Sequence, residues 1–172
     1  MSEPVVLTAL RDDDSDVLFR WINDRELVLL SGAFEPVGRA AHDAWFVAVR
    51  TRSDTLIRAI RRDDGGELIG TCQLHAIDRT HGSAELRIRI GERTAWGSGH
   101  GTAALRLLLA EGFGALRLHR IWLQVLASNE RARRAYRRVG FREEGVLRDG
   151  ARIEGRYEDL VLMAILAGDT VA

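Results

Sequence analysis

Apolar and polar positions alternate along this chain in two rhythms, and their order sketches the elements. Val5 to Leu10, "VVLTAL", is a short β-rich run that predicts a strand. The acidic cluster Asp12, Asp13, Asp14 and Asp16 then leads into "VLFRWINDREL", where apolar residues fall near helical spacing. Acidic side chains favour a helix N-terminus, so one helix is expected there. Gly and Pro punctuate "SGAFEPVG", and "RAAHDAWFVAVRTR", Arg39 to Arg52, returns to helical periodicity. Three strand-like runs follow, "TLIRAIRRD", "ELIGTCQLHAID" and "SAELRIRIG", divided by the turn clusters "DGG" and "RTHGS". They predict an antiparallel meander. Gly99 to Leu116 predicts a helix, Arg120 to Ala127 a strand, and "ERARRAYRRV" a helix that Ser128 or Asn129 can cap and Gly140 ends. Two last strands, "FREEGVLRD" and "RYEDLVLMAIL", join at "GARIEG". This order predicts an α/β (α+β) fold, a mixed, partly parallel sheet of about seven strands with about four helices covering both faces.

Length changes the picture little: 172 residues suit one domain spanning 1–172, large enough to bury a core without metal or disulfide. Charge removes some partners. Lys+Arg and Asp+Glu both count 25, so no overall basic field recommends nucleic acid or an anionic membrane. Every one of those bases is Arg. Cys72, the single cysteine, sits in an apolar strand run and reads as a small core residue. The N-terminus lacks a basic segment followed by an apolar one, and no apolar run approaches the roughly 18 residues of a membrane span. A soluble, cytoplasmic protein is expected. The histidines show no second-ligand spacing, so no metal is expected either.

Candidate chemistry concentrates in "WGSGHGTAALRLLLAEGF", where Gly97, Gly99 and Gly101 stand at alternate positions before a helix. Glycine there permits φ > 0 and close approach to backbone N–H groups, and a helix N-terminus adds unpaired donors and a positive dipole end. That suits a phosphate-bearing cofactor, although a merely tight βα turn has the same spacing. A Walker loop is excluded, since Gly101 precedes Thr102 and the chain has no Lys. A dinucleotide fingerprint fits poorly, because "IWLQVLA" ends in Ala127, Ser128 and Asn129 without an acidic residue and a meander lies upstream.

Taken with "HRIWLQVLASNERARRAYRRVGF", the glycine stretch resembles the acetyl-CoA-binding core of the GNAT N-acetyltransferase superfamily, from about Glu85 to Phe141. The opening "FRWIND" segment and the closing "GVLRDGARIEGRYEDLVLMAIL" resemble its ribosomal-protein, polyamine and amino-sugar branch. The resemblance implies a sheet splayed at the cofactor slot. It implies that Trp96, Gly97, Ser98, Gly99, His100, Gly101 and Thr102 wrap the CoA pyrophosphate with backbone N–H groups. Trp96 stands where the family pattern has Gln or Arg, a departure that backbone recognition tolerates. Ile88, Arg89 and Ile90 would pair with the pantetheine arm as an added strand, and Asn129 would hydrogen-bond it, unless it is a plain helix cap.

The implied chemistry is direct acetyl transfer to a primary amine, with no acyl-enzyme. Tyr136 matches the general acid that protonates the departing CoA thiolate, a role suited to a phenol of pKa about 10. Glu85 matches a carboxylate that relays the amine proton, with His75 and His81 as weaker bases. The acceptor pocket would take Trp21, Asn23 and Asp24 from the first helix, Phe34 and Trp45, and Arg148, Asp149 and Tyr157 near the end. Aromatics beside carboxylates suit a cationic amine or a sugar ring, which makes the expected acceptor an amino sugar, nucleotide-linked or not, or a polyamine. The alternatives are acetylation of a protein N-terminus and, in another class, a non-catalytic acyl-CoA sensor. The family analogy also implies a homodimer.

Overall fold

A computed structural model of the chain describes residues 5–62 and 66–169. The predicted alternation is realised in β1 (Val5–Thr8), β2 (Leu56–Arg62), β3 (Leu68–Asp78) and β4 (Ser83–Ile90), which pair antiparallel in sequence order. The "DGG" turn falls mostly on residues 63–65, outside the described residues. β5 (Arg120–Leu126), β6 (Arg142–Ile153) and β7 (Arg156–Leu166) complete one seven-stranded sheet of order β1-β2-β3-β4-β5-β7-β6. Its one parallel pair is β4 with β5, and that ladder is short, Ser83 to Glu85 against Arg120 to Trp122. Beyond Glu85 the two strands part, as the implied slot requires.

Five α-helices accompany the sheet among the described residues: α1 (Asp14–Ile22), α2 (Arg25–Leu29), α3 (Arg39–Val49), α4 (His100–Phe113) and α5 (Glu130–Arg138). The single helix expected over "VLFRWINDREL" is therefore two. Asn23 ends the first by turning its amide on Phe19 O and Val37, and Asp24 starts the second by accepting from Leu27 N–H at 3.1 Å. Val37 lies beyond any local window, so pattern alone misses the break. The last hairpin also differs. β6 runs through most of "GARIEG", a register shift between Leu147 and Ala151 absorbs the extra residues, and Glu154 and Gly155 make the turn with φ of 49° and 81°. Two consecutive positive φ values match the twist of a tight hairpin.

Neighbouring strand residues face opposite ways, and two apolar clusters result. Ile60, Leu74 and Leu86 pack with Leu105 and Leu108 of α4 and Tyr136 of α5. On the other side Ala59 and Leu68 pack with Leu18 and Trp21 of α1, Leu27 of α2 and Phe46 of α3. Helices thus cover both faces.

One ion pair lies inside this framework. Arg61 Nη2 reaches both oxygens of Asp14 at 2.7 Å, Arg61 Nε donates to Thr8 Oγ1 and Nη1 to Gly66 O, and Arg11 N–H donates to Asp14 at 2.7 Å. Both side chains are almost fully buried, 3% and 4% exposed. Two other acids of the run are paired at the surface, Asp12 with Arg50 and Asp16 with Arg39, each at 2.6 Å. Among the described residues no helix is long and apolar enough to cross a membrane.

Candidate active site

The parting of β4 and β5 opens a cleft of about 330 Å³. The loop before α4 forms one end of it. Gly97 and Gly99 adopt φ of 80° and 84°, the left-handed region that glycine enters without a Cβ clash. Gly99 caps α4, and the first bond into the helix is Ala103 N–H to Gly99 O at 3.0 Å. The N–H groups of His100, Gly101 and Thr102 therefore lead the helix without an intrahelical acceptor. The His100 ring turns inward, buried against Ala95 O at 3.1 Å, so the cleft meets its backbone.

Ile88, Arg89 and Ile90 form the β4 wall, and Trp96, Gly97, Gly99, Gly101, Thr102 and Asn129 also line the cleft; Ser98 does not. Two of these residues are more constrained than the sequence reading implied. Trp96 Nε1 donates to Ile90 O at 2.9 Å, which engages one of the strand carbonyls. Asn129 uses its whole amide within the protein: Oδ1 caps α5 at Ala132 N–H, and Nδ2 donates to Leu30 O at 2.8 Å.

Sequence reasoning missed the opposite wall. Arg131, Arg134 and Arg138 of α5 line the cleft, with Arg131 lying over the Trp96 ring at 4.2 Å. Spacing of three and four residues puts them on one helix face, and that signal was present in "RARRAYRR". The other face is neutralised, Arg133 and Arg137 each pairing with both Glu130 and Glu143. Among the described residues no Asp or Glu lines the cleft, and its four arginines make it strongly positive.

A second cavity of about 650 Å³ lies against the α1–α3 face of the sheet. Trp21 and Trp45 line it, as does Glu85. Trp21 is nearly fully buried and donates from Nε1 to Glu92, while Trp45 is 44% exposed. Glu85 is held by Arg87 through two bonds of 2.9 Å. His42, not foreseen, also lines it, its Nε2 set against Ser15 and its ring against Phe19, Trp45 and Phe46.

Other expected acceptor residues lie away from it. Asn23 and Asp24 serve the α1–α2 break, and Asp24 also pairs with Arg93. Tyr157 is 63% exposed on the hairpin, with Arg152 over its ring. Phe34, Arg148 and Asp149 do not line the cavity either. His75 contacts Thr55, and His81 pairs with Asp78 at the surface.

The cleft and the cavity share a wall made of Ser31, Ile88, Arg89, Gln124 and Tyr136. Tyr136 projects from α5 with its ring against Phe141, and burial pushes its phenol up to about 12. It stays protonated at neutral pH. Cys72 also borders the cavity, but burial pushes its thiol up to about 12, so it carries no nucleophilic thiolate.

Two cavities that meet at a wall containing a buried, protonated tyrosine give room for two ligands side by side. Comparison with known proteins gives the family: the acetyltransferase (GNAT) domain matches residues 5–142, and the chain belongs to it. This family transfers acetyl groups and uses acetyl-CoA as donor, and the chain is an N-acetyltransferase. It is 28% identical over 170 residues to the uncharacterized N-acetyltransferase p20 of Bacillus licheniformis, covering 96% of this chain and 94% of that one. It is 37% identical over 109 residues to a spermidine N(1)-acetyltransferase of Vibrio cholerae, 63% of this chain and 62% of the other. Its fold matches the crystal structure of spermidine N-acetyltransferase from Vibrio cholerae in complex with CoA and spermine, with a TM-score of 0.89, 28% identity and 96% of each chain covered.

Proposed function

We propose that this chain transfers acetyl from acetyl-CoA directly to the primary amine of a small molecule, with Tyr136 as general acid. The observation that carries this reading is the position of Tyr136 in the wall common to the cleft and the second cavity. Acetyl-CoA supplies a thioester carbonyl and a thiolate leaving group. The leading N–H groups of α4 and the arginine face of α5 supply donors and charge of the kind its phosphates need. The open edge of β4 past Glu85 lies alongside as a surface for an extended arm.

The acceptor enters from the other side, between Trp21, Trp45 and the sheet. Tyr136 donates its proton to the departing sulfur, and the phenol is regenerated from solvent. Glu85 is the carboxylate that borders the acceptor cavity and can take the amine proton, with Arg87 bonded to both of its oxygens. Holding donor and acceptor together supplies much of the acceleration.

The experiment is release of free CoA thiol across amino sugars, nucleotide-linked amino sugars, polyamines and N-terminal peptides. Turnover of one small-molecule class is the expected result. Turnover of peptides alone would move the reading to protein N-termini, and tight CoA binding with no thiol released from any amine would move it to a non-catalytic binder.

A further inference from the structure

The acceptor cavity is short of negative charge. Among the described residues its walls carry Arg87 and Arg89 but a single carboxylate, Glu85, and that one is taken by Arg87. Arg89 has no such match. Among the described residues its side chain makes one long hydrogen bond, Nη2 to Ser31 Oγ at 3.4 Å, beyond the usual range for N–H donors. Burial pushes its pKa down from the ordinary arginine value, as expected for a cation stripped of water without an anion in return. Guanidinium nonetheless keeps its proton at neutral pH.

Three acids of the run that could have compensated are engaged elsewhere. Asp12, Asp14 and Asp16 pair with Arg50, Arg61 and Arg39. A polyamine would bring further ammonium groups against an existing positive surplus. An acceptor carrying an oxyanion would instead supply the missing partner. Arg89 lies in the wall common to both sides, and its place on the strand favours the acceptor over the donor for this role: it shares a strand face with Arg87 and Glu85, two and four residues earlier, and those two border the acceptor cavity alone.

We propose that the acceptor is an amine that also bears a carboxylate or a phosphate, and that Arg89 holds this anion beside Tyr136. This inference rests on the acetyl-transfer reading above.

The test uses the full chain with CoA bound, for equilibrium binding, and with acetyl-CoA, for thiol release. The probes are matched acceptors: α-amino acids with their amides, amino-sugar phosphates with the unphosphorylated sugars, and spermidine. The anionic member of one pair is expected to bind and turn over roughly 10- to 100-fold better than its neutral counterpart. Arg89→Gln is expected to collapse that ratio towards one, and Arg89→Lys to restore part of it. Which pair responds separates carboxylate from phosphate. Equal or better performance by neutral amines or spermidine overturns the inference, as does an Arg89→Gln variant whose main effect is a raised KM for acetyl-CoA. Arg89-dependent binding of anionic amines without thiol release from any of them would leave the anion site standing and remove the transfer reading.

Discussion

Replacing Tyr136 with Phe is expected to lower kcat by about 10²- to 10⁴-fold, the contribution typical of a positioned general acid. The substitution removes one hydroxyl and keeps the buried ring that packs on Phe141, so the fold should survive and the KM for acetyl-CoA should change little. The pH profile carries the same assignment. A general acid must be protonated to act, so activity that depends on it is present below its pKa and lost as pH rises through it. For Tyr136 that loss falls near 12, because burial raises the phenol. The rate should therefore climb with pH as the acceptor amine deprotonates, and it should show no descending limb up to about pH 10. An unchanged kcat in the Phe variant would contradict the acid role.

The second large effect concerns the fold. Asp14→Ala is expected to cost about 3–5 kcal/mol, because it leaves Arg61 charged and buried without its partner. For a domain of this size that corresponds to a drop in Tm of roughly 6–20 °C. Asp16→Ala provides the internal comparison. Its partner Arg39 is 52% exposed and Asp16 itself 78%, so the change should stay within about 1 kcal/mol. Thermal unfolding of the two variants beside the parent measures both. Equal, small shifts would mean that the buried pair does not anchor α1 to the sheet.

The contrast between these two aspartates was invisible in "RDDDSD". Periodicity identifies a helix start, but only the tertiary structure tells which acid faces the sheet. The same limit explains the acceptor residues. Trp21 and Trp45 were legible as aromatics on amphipathic helices. Asn23 and Phe34 read equally well as pocket residues, yet Asn23 is engaged in ending α1. Arg89 was read for its backbone alone, and the significance of its side chain depends on what Asp12, Asp14, Asp16 and Glu85 pair with across the fold. Local features fared better. The meander, the glycine loop and the cap at Asn129 follow from turn chemistry and alternation, which act over a few residues. The arginine face of α5 belongs with these, since its spacing alone marks one helix face.

Direct transfer is the central claim, and the initial-velocity pattern tests it. With acetyl-CoA and a competent amine both varied, double-reciprocal plots should intersect, since both substrates must occupy the two sides of the Tyr136 wall together. Parallel lines, accompanied by an added acetyl mass on the protein after exposure to acetyl-CoA alone, would contradict it and require a covalent acyl-enzyme.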